Sequence, residues 1–198
     1  MQNPIVIFTG PSTAGKTTLC DYLVNKYGFV KPSTYTTRAK RSNEYDHSYV
    51  FLTVNEFYNK VRSRQMLEYV ESFGHYYGSS ISSFDTLVPI TLAMTPAGAS
   101  KVSAYFKNRT FIINIKISLA TMIERMQYRS KISVSELHSR LNEWPNHVKS
   151  KYDYTINGDN SLSSVFNKLD QYILEISTIG NRNTHSGLSF MEKNGQAN

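Results

Sequence analysis

The sequence predicts an α/β fold, a parallel sheet flanked by helices on both faces. Three observations predict it. Short apolar, β-branched runs alternate with stretches of helical spacing. The first run breaks into GPSTAGKT (residues 10–17), a glycine-rich turn that opens a helix. No internal repeat and no apolar run of the roughly 20 residues needed to cross a bilayer competes with this architecture.

The elements follow in order. Residues 4–9, PIVIFT, read as a short buried strand. A helix is expected from Lys16 to Tyr27, with Leu19, Tyr22, Leu23 and Tyr27 on one stripe and Gly28 as its stop. Residues 31–57 are rich in hydroxyls, tyrosine and charge, with a strand at SYVFLT (48–53). Val54 to Arg64 has the spacing of a short helix. MLEYVESFGHYYGSS (66–80) reads as strand–turn–strand. DTLVPITLAM (85–94) is the second buried run, interrupted by Pro89. Ala99 to Phe106 predicts a helix and TFIINIKI (110–117) the third buried strand. Helices are expected at Leu119–Tyr128 and around Val134–Glu143, a fourth strand at YDYTI (152–156), and an amphipathic last helix at Leu162–Ile176. From Thr178 onward the chain is polar, Gly/Asn-rich and aperiodic, the pattern of a disordered tail.

Bulk properties narrow the function. A chain of 198 residues fits one domain. The N-terminal MQNP lacks the basic segment of a secretory signal, and a cytoplasmic enzyme with no membrane partner is expected. Cys20 is the only cysteine, which excludes an intramolecular disulfide or a cysteine zinc cluster. The net charge of +7 suits a polyanionic ligand. Its basic residues are scattered and no nucleic-acid motif accompanies them, so a nucleotide is favoured over nucleic acid.

The 10–17 stretch fits G-x-x-x-x-G-K-[ST] at every fixed position, after a predicted strand and before a predicted helix. Glycines permit turns in which successive N–H groups converge on phosphate oxygens. Gly10, Ser12, Thr13, Ala14, Gly15, Lys16, Thr17 and Thr18 are therefore candidate ATP-binding residues. Lys16 neutralises β- and γ-phosphate charge, and the Thr17 hydroxyl is the candidate Mg²⁺ ligand. The motif leaves the phosphate acceptor open. Downstream, TYTTRAKRSNEYDHSY sets Arg38 and Arg41 three apart amid hydroxyls, and guanidinium forks suit a phosphate. Glu68 is followed by Tyr76, Tyr77 and Ser79. A carboxylate near arginines fits a ligand with both a phosphate and an N–H edge, and guanine offers N1–H and its N2 amino group to one carboxylate.

These motifs, GPSTAGKTTL, then TTR-x-x-R-x-x-E, MLE, YYGS and YDYTIN, stand in the order and near the spacing of the guanylate kinase family, which the chain resembles from about residue 4 to 176. The resemblance implies a P-loop NTPase-type core over residues 1–177, an inserted nucleoside-monophosphate-binding lobe at about 34–84, and a lid at about 125–142, with residues 178–198 as the tail. It implies that Arg38, Arg41, Tyr49 and Tyr77 hold the acceptor phosphate and Ser79 completes that site. Glu68 reads the guanine N1/N2 edge and Thr34 its O6. Arg38, Arg125, Arg129 and Arg140, with Lys16, are the catalytic candidates, and Asn157 lies near the adenine of ATP. The implied reaction is ATP + GMP (or dGMP) = ADP + GDP, with Mg²⁺, in a monomer or homodimer.

The chain departs from the family at one informative place. Where the family reads close to D-x-D-x-x-G after the second buried strand, this sequence reads AMTPAG, so Ala93 and Thr95 replace both acids and Gly98 remains. Losing a supporting carboxylate typically costs about 10–100-fold in metal affinity or activity. Ser42 and Asn43 replace a Pro/Ala-Gly turn, and Trp144-Pro145 are expected to end or kink a helix. Two alternatives follow: a sugar-phosphate kinase resembling the ribose bisphosphate kinases, which would leave Glu68 no base to read, and a non-catalytic protein-binding module, which would not need Lys16 or the lid arginines.

Overall fold

In the computed structural model, residues 3–40, 49–72, 74–129, 138, 140–142 and 152–182 are described. Strand β1 (Ile5–Thr9) is buried along its whole length. Helix α1 (Lys16–Tyr27) spans the expected residues and ends at Gly28, whose left-handed φ of 70° returns its N–H to Val24 while Phe29 reaches Leu23. Strands β2 (Thr34–Thr36) and β3 (Val50–Phe51) follow, then α2 (Val54–Arg62), started by a reciprocal cap between Thr53 and Glu56. Strands β4 (Met66–Ser72) and β5 (His75–Ser80) form the expected hairpin around Gly74.

The second buried run is trimmed to β6 (Ile90–Ala93). Pro89 has no N–H to give a sheet, and the residues before it turn outward, leaving Leu87 95% exposed. Helix α3 (Pro96–Phe106) begins three residues before the expected Ala99, because Thr95 caps it and Pro96 occupies the first turn, where its missing N–H costs nothing. Then come β7 (Thr110–Lys116), α4 (Leu119–Arg129), β8 (Tyr154–Asn157) and α5 (Leu162–Arg182). Helix α5 runs six residues past its expected end at Ile176, so the tail does not begin at Thr178; residues 183–198 lie outside the described residues. The helix expected at Val134–Glu143 also falls largely outside them, although residues 140–142 are helical, and so do Ser42, Asn43, Trp144 and Pro145.

Two sheets result. The first is parallel, in the order β6-β1-β7-β8, with Ile5 beside both Ile90 and Thr110. Alternation along β1 feeds two cores. Val6 and Phe8 pack with Leu19, Leu23, Met122, Leu169 and Ile173 from α1, α4 and α5. Ile5 and Ile7 pack with Ile90, Ala99 and Val102 on the α3 side. A sheet buried on both faces explains why its strands read as continuous apolar runs. The second sheet, β3-β2-β5-β4, is mixed. Its three-residue β2 escapes sequence reading because Thr-Tyr-Thr carries no apolar run, and it is held by pairing on both sides.

Candidate active site

The loop between β1 and α1 is built from strained backbone. Gly10, Thr13 and Gly15 have φ of 143°, 60° and 95°. A Cβ on Gly10 would stand 2.6 Å from the Ile115 carbonyl oxygen, so the loop rests directly on β7 and admits no side chain there. Thr13 holds its unusual conformation with a hydroxyl that donates to Ser12 O at 2.6 Å and Met122 O at 3.3 Å. No acidic residue stands in the first turn of α1, so its N-terminal N–H groups keep their positive end for an anion. Lys16 Nζ donates to the carbonyls of Gly10 (2.8 Å) and Pro11 (2.7 Å), which draws its charge over the loop.

Two arginines brace this loop from distant segments. Arg125 of α4 donates to Gly158 O at 2.7 Å and Thr13 O at 3.4 Å. Arg140 donates to the Ser12 hydroxyl.

The second sheet supplies the other end. Thr34 on β2 lies beside Ser79 on β5, which lies beside Glu68 on β4, so the three form one row across neighbouring strands. Residues two apart on a strand share a face, which adds Tyr77, Val70 and Ser72. Two of the three are buried, Ser79 at 0% and Glu68 at 4% exposed, while Thr34 is half-buried; Glu68 Oε2 and Ser79 Oγ have no hydrogen-bond partner among the described residues. Burial pushes the Glu68 carboxyl up to about 7; Ser79 and the Lys101 charge act the other way. Arg38 lies 5.5 Å from the Tyr49 ring centre and 5.8 Å from that of Phe51, and Tyr49 packs edge-on to Tyr77. The Arg38 guanidinium and the Tyr49 and Tyr77 rings therefore stand together.

One cavity of about 470 Å³ joins both ends. It is lined by every expected loop residue and by Thr34, Arg38, Tyr49, Glu68, Tyr77, Ser79, Arg125 and Arg140. Asn157 is not on its wall; it is exposed at the end of β8, its Oδ1 accepting from Asp159 N at 3.0 Å. Arg41 and the side chain of Arg129 lie outside the described residues. Ala93 and Thr95 line the cavity too, but the Thr95 hydroxyl accepts from Gly98 N at 3.2 Å and caps α3.

Comparison with known proteins is consistent throughout. A family model described as guanylate kinase matches residues 1–176. The chain belongs to the guanylate kinase family. It is 30% identical to a guanylate kinase of Clostridium acetobutylicum, over 86% of this chain and 84% of that one. It is 32% identical to a guanylate kinase of Psychrobacter arcticus, over 81% of each. Among solved structures, a guanylate kinase from Anaplasma phagocytophilum superimposes with a TM-score of 0.61 at 22% identity, covering 93% and 87% of the two chains. A gluconokinase from Sinorhizobium meliloti shares the fold (TM-score 0.58, 11% identity, 93% and 98% coverage).

For this guanylate kinase family member, sequence reading missed contributors in and around the second sheet, Val70, Ser72 and Lys101 among them. Val70 and Ser72 are signalled by strand alternation from Glu68. Lys101 carries no local signal: its Nζ reaches Tyr69 O at 2.5 Å across the gap between α3 and β4.

Proposed function

We propose that this chain is an ATP-dependent nucleoside monophosphate kinase that transfers the γ-phosphoryl group of ATP to GMP or dGMP. The observation that carries this reading is the Thr34–Ser79–Glu68 row opening into the same cavity as the Gly10–Thr17 loop. Glu68 as a carboxylate accepts from guanine N1–H and the N2 amino group, and the Thr34 hydroxyl donates to O6. Arg38, Tyr49 and Tyr77 hold the monophosphate, with Arg41 as a further candidate, and Ser79 stands between Thr34 and Glu68 in the row that reads the base. The loop N–H groups and Lys16 hold the β- and γ-phosphates. A monophosphate oxygen attacks the γ-phosphorus, and the bond to the ADP oxygen breaks in line with it. Lys16, Arg125 and Arg140 stabilise charge on the transferring group, with Arg129 proposed as a fourth cation; positioning and charge dominate such reactions.

A magnesium ion fits the donor set in a limited way. The exposed Thr17 hydroxyl on the cavity wall would hold it together with substrate phosphates and water, a usual arrangement for this ion, and Ala93 and Thr95 add no carboxylate. When bound it would offset phosphate charge.

A coupled ADP-release assay with ATP and Mg²⁺ tests the reading, offering GMP, dGMP, AMP, CMP, UMP, dTMP and ribose 1,5-bisphosphate at mildly alkaline pH. Turnover is expected with the guanine nucleotides. Turnover with ribose 1,5-bisphosphate alone, or with no acceptor, overturns it.

A further inference from the structure

The polar inventory at the sheet end of the cavity is one-sided. Around the Thr34–Ser79–Glu68 row the wall carries hydroxyls (Thr34, Ser72, Tyr77, Ser79 and Thr95), and Val70, Ala93 and Met94 add none of fixed polarity. A hydroxyl donates or accepts as its O–H rotates. It therefore accommodates a carbonyl at position 6 of a purine as readily as an amino group. Glu68 is the one carboxylate on the cavity wall among the described residues, and no ion pair involving it is found among them. Its Oε2 faces the bare Cα of Gly98, where a Cβ would be only 3.3 Å away.

We infer that purine choice at this site rests on the charge of Glu68 alone, and that the neutral carboxyl gives the protein a second acceptor, an adenine nucleoside monophosphate. The inference rests on the kinase reading above. A carboxylate offers two acceptors and matches the N1–H and N2 donors of guanine. A neutral carboxyl offers one donor and one acceptor, which matches N1 and the N6 amino group of adenine. The hydroxyls on either side adapt to both bases. Both forms of Glu68 are populated near neutrality, since burial pushes its carboxyl up to about 7. The groups around it cannot take over the reading. Helix α3 contributes the Lys101 charge, β5 and β2 contribute Ser79 and Thr34, the end of β6 contributes uncharged Ala93 and Met94, and Arg38 lines the same cavity.

The test is equilibrium binding of GMP and AMP to the full chain at about pH 6 and about pH 8.5, with the Glu68→Gln variant beside the wild type. Phosphate ionises alike in both nucleotides and cancels in the ratio of their affinities. The preference for GMP over AMP is expected to fall with pH by up to about tenfold per unit through the titration of Glu68. Glu68→Gln fixes one donor and one acceptor, so it is expected to favour AMP with a ratio that pH does not move. Should that variant not fold, the wild-type ratio decides alone. A constant ratio in a wild type that binds GMP overturns the inference and leaves the GMP reading standing. Binding of neither nucleotide overturns both.

Discussion

The two ends of the cavity solve charge in opposite ways. At the loop end, cations meet main-chain carbonyls: Lys16 on Gly10 and Pro11, Arg125 on Thr13 and Gly158. In the proposed reading a phosphate supplies the balancing negative charge, and the cradle itself is backbone. At the sheet end the wall is made of side chains, and Glu68, the one carboxylate on it among the described residues, is buried beside hydroxyls with one oxygen unpartnered. In the proposed reading the loop end takes phosphate, which most nucleotides share, and the sheet end chooses among bases through Glu68.

The largest effect expected from this contrast comes from breaking the loop end alone. Lys16→Met removes the ammonium but keeps most of the stem. Turnover should fall by roughly 10²–10³ or more, the cost typical of losing one charge-stabilising group in a transition state. GMP affinity should stay near the wild-type value, because in the proposed reading Lys16 serves the triphosphate. Rapid-quench turnover and GMP titration on the same preparation read both quantities. Parallel losses would mean that the two ends are one coupled site and that the contrast fails.

This difference also explains what the sequence revealed. The loop end was legible because a backbone cradle needs glycines at fixed spacing between a strand and a helix, and GPSTAGKT states that locally. The Glu68–Ser79 hairpin was legible as strand–turn–strand. The family resemblance set Thr34 and Glu68 at one base, but the strand pairing that puts Thr34 beside Ser79 was not legible, because β2 is three residues long and exists only through its neighbours. Thr95 reads in sequence as the remnant of a lost acid; the fold gives its hydroxyl to Gly98 N as a helix cap. Asn157 stands where the family pattern sets it in sequence, and the fold adds a local partner for its Oδ1, the Asp159 N–H. The lengthening of α5 to Arg182 had no signal, since Thr178, Gly180 and Asn181 are poor helix formers carried on by a helix already anchored through Leu169, Ile173 and Ile176.

The next effect sharpens the sheet end. The Glu68 carboxyl titrates near 7 in the folded chain and near 4.5 as an unperturbed group. Between those values the folded state keeps a proton that the unfolded state has released, so stability falls as pH rises through that window and levels off above it. The full swing is roughly 3 kcal/mol. Glu68→Gln should remove this slope and leave the protein more stable than wild type above neutrality. Urea unfolding at about pH 5 and about pH 8 measures it. Equal slopes in the two proteins would mean that Glu68 is as well solvated as an exposed acid.

The smallest effect concerns Lys101, which ties α3 to β4 one residue beyond Glu68. Its Nζ donates to Tyr69 O at 2.5 Å and lies 5.2 Å from the centre of the Tyr69 ring. Its charge opposes the upward push of burial on Glu68. Lys101 is exposed, so its field is screened by water and ions and the effect must be modest. Lys101→Met keeps an apolar stem over Tyr69 and deletes the charge. The midpoint of GMP binding against pH should then move upward by less than about one unit, while Lys101→Arg should hold it near the wild-type value. Salt at about 1 M, where the screening length shrinks to roughly 3 Å, should reproduce the shift in the wild type and add little to the Met variant. A loss of packing alone would weaken GMP binding equally at every pH. A midpoint that moves with charge and salt assigns Lys101 to the tuning of Glu68, and one that stays fixed leaves burial as its only control.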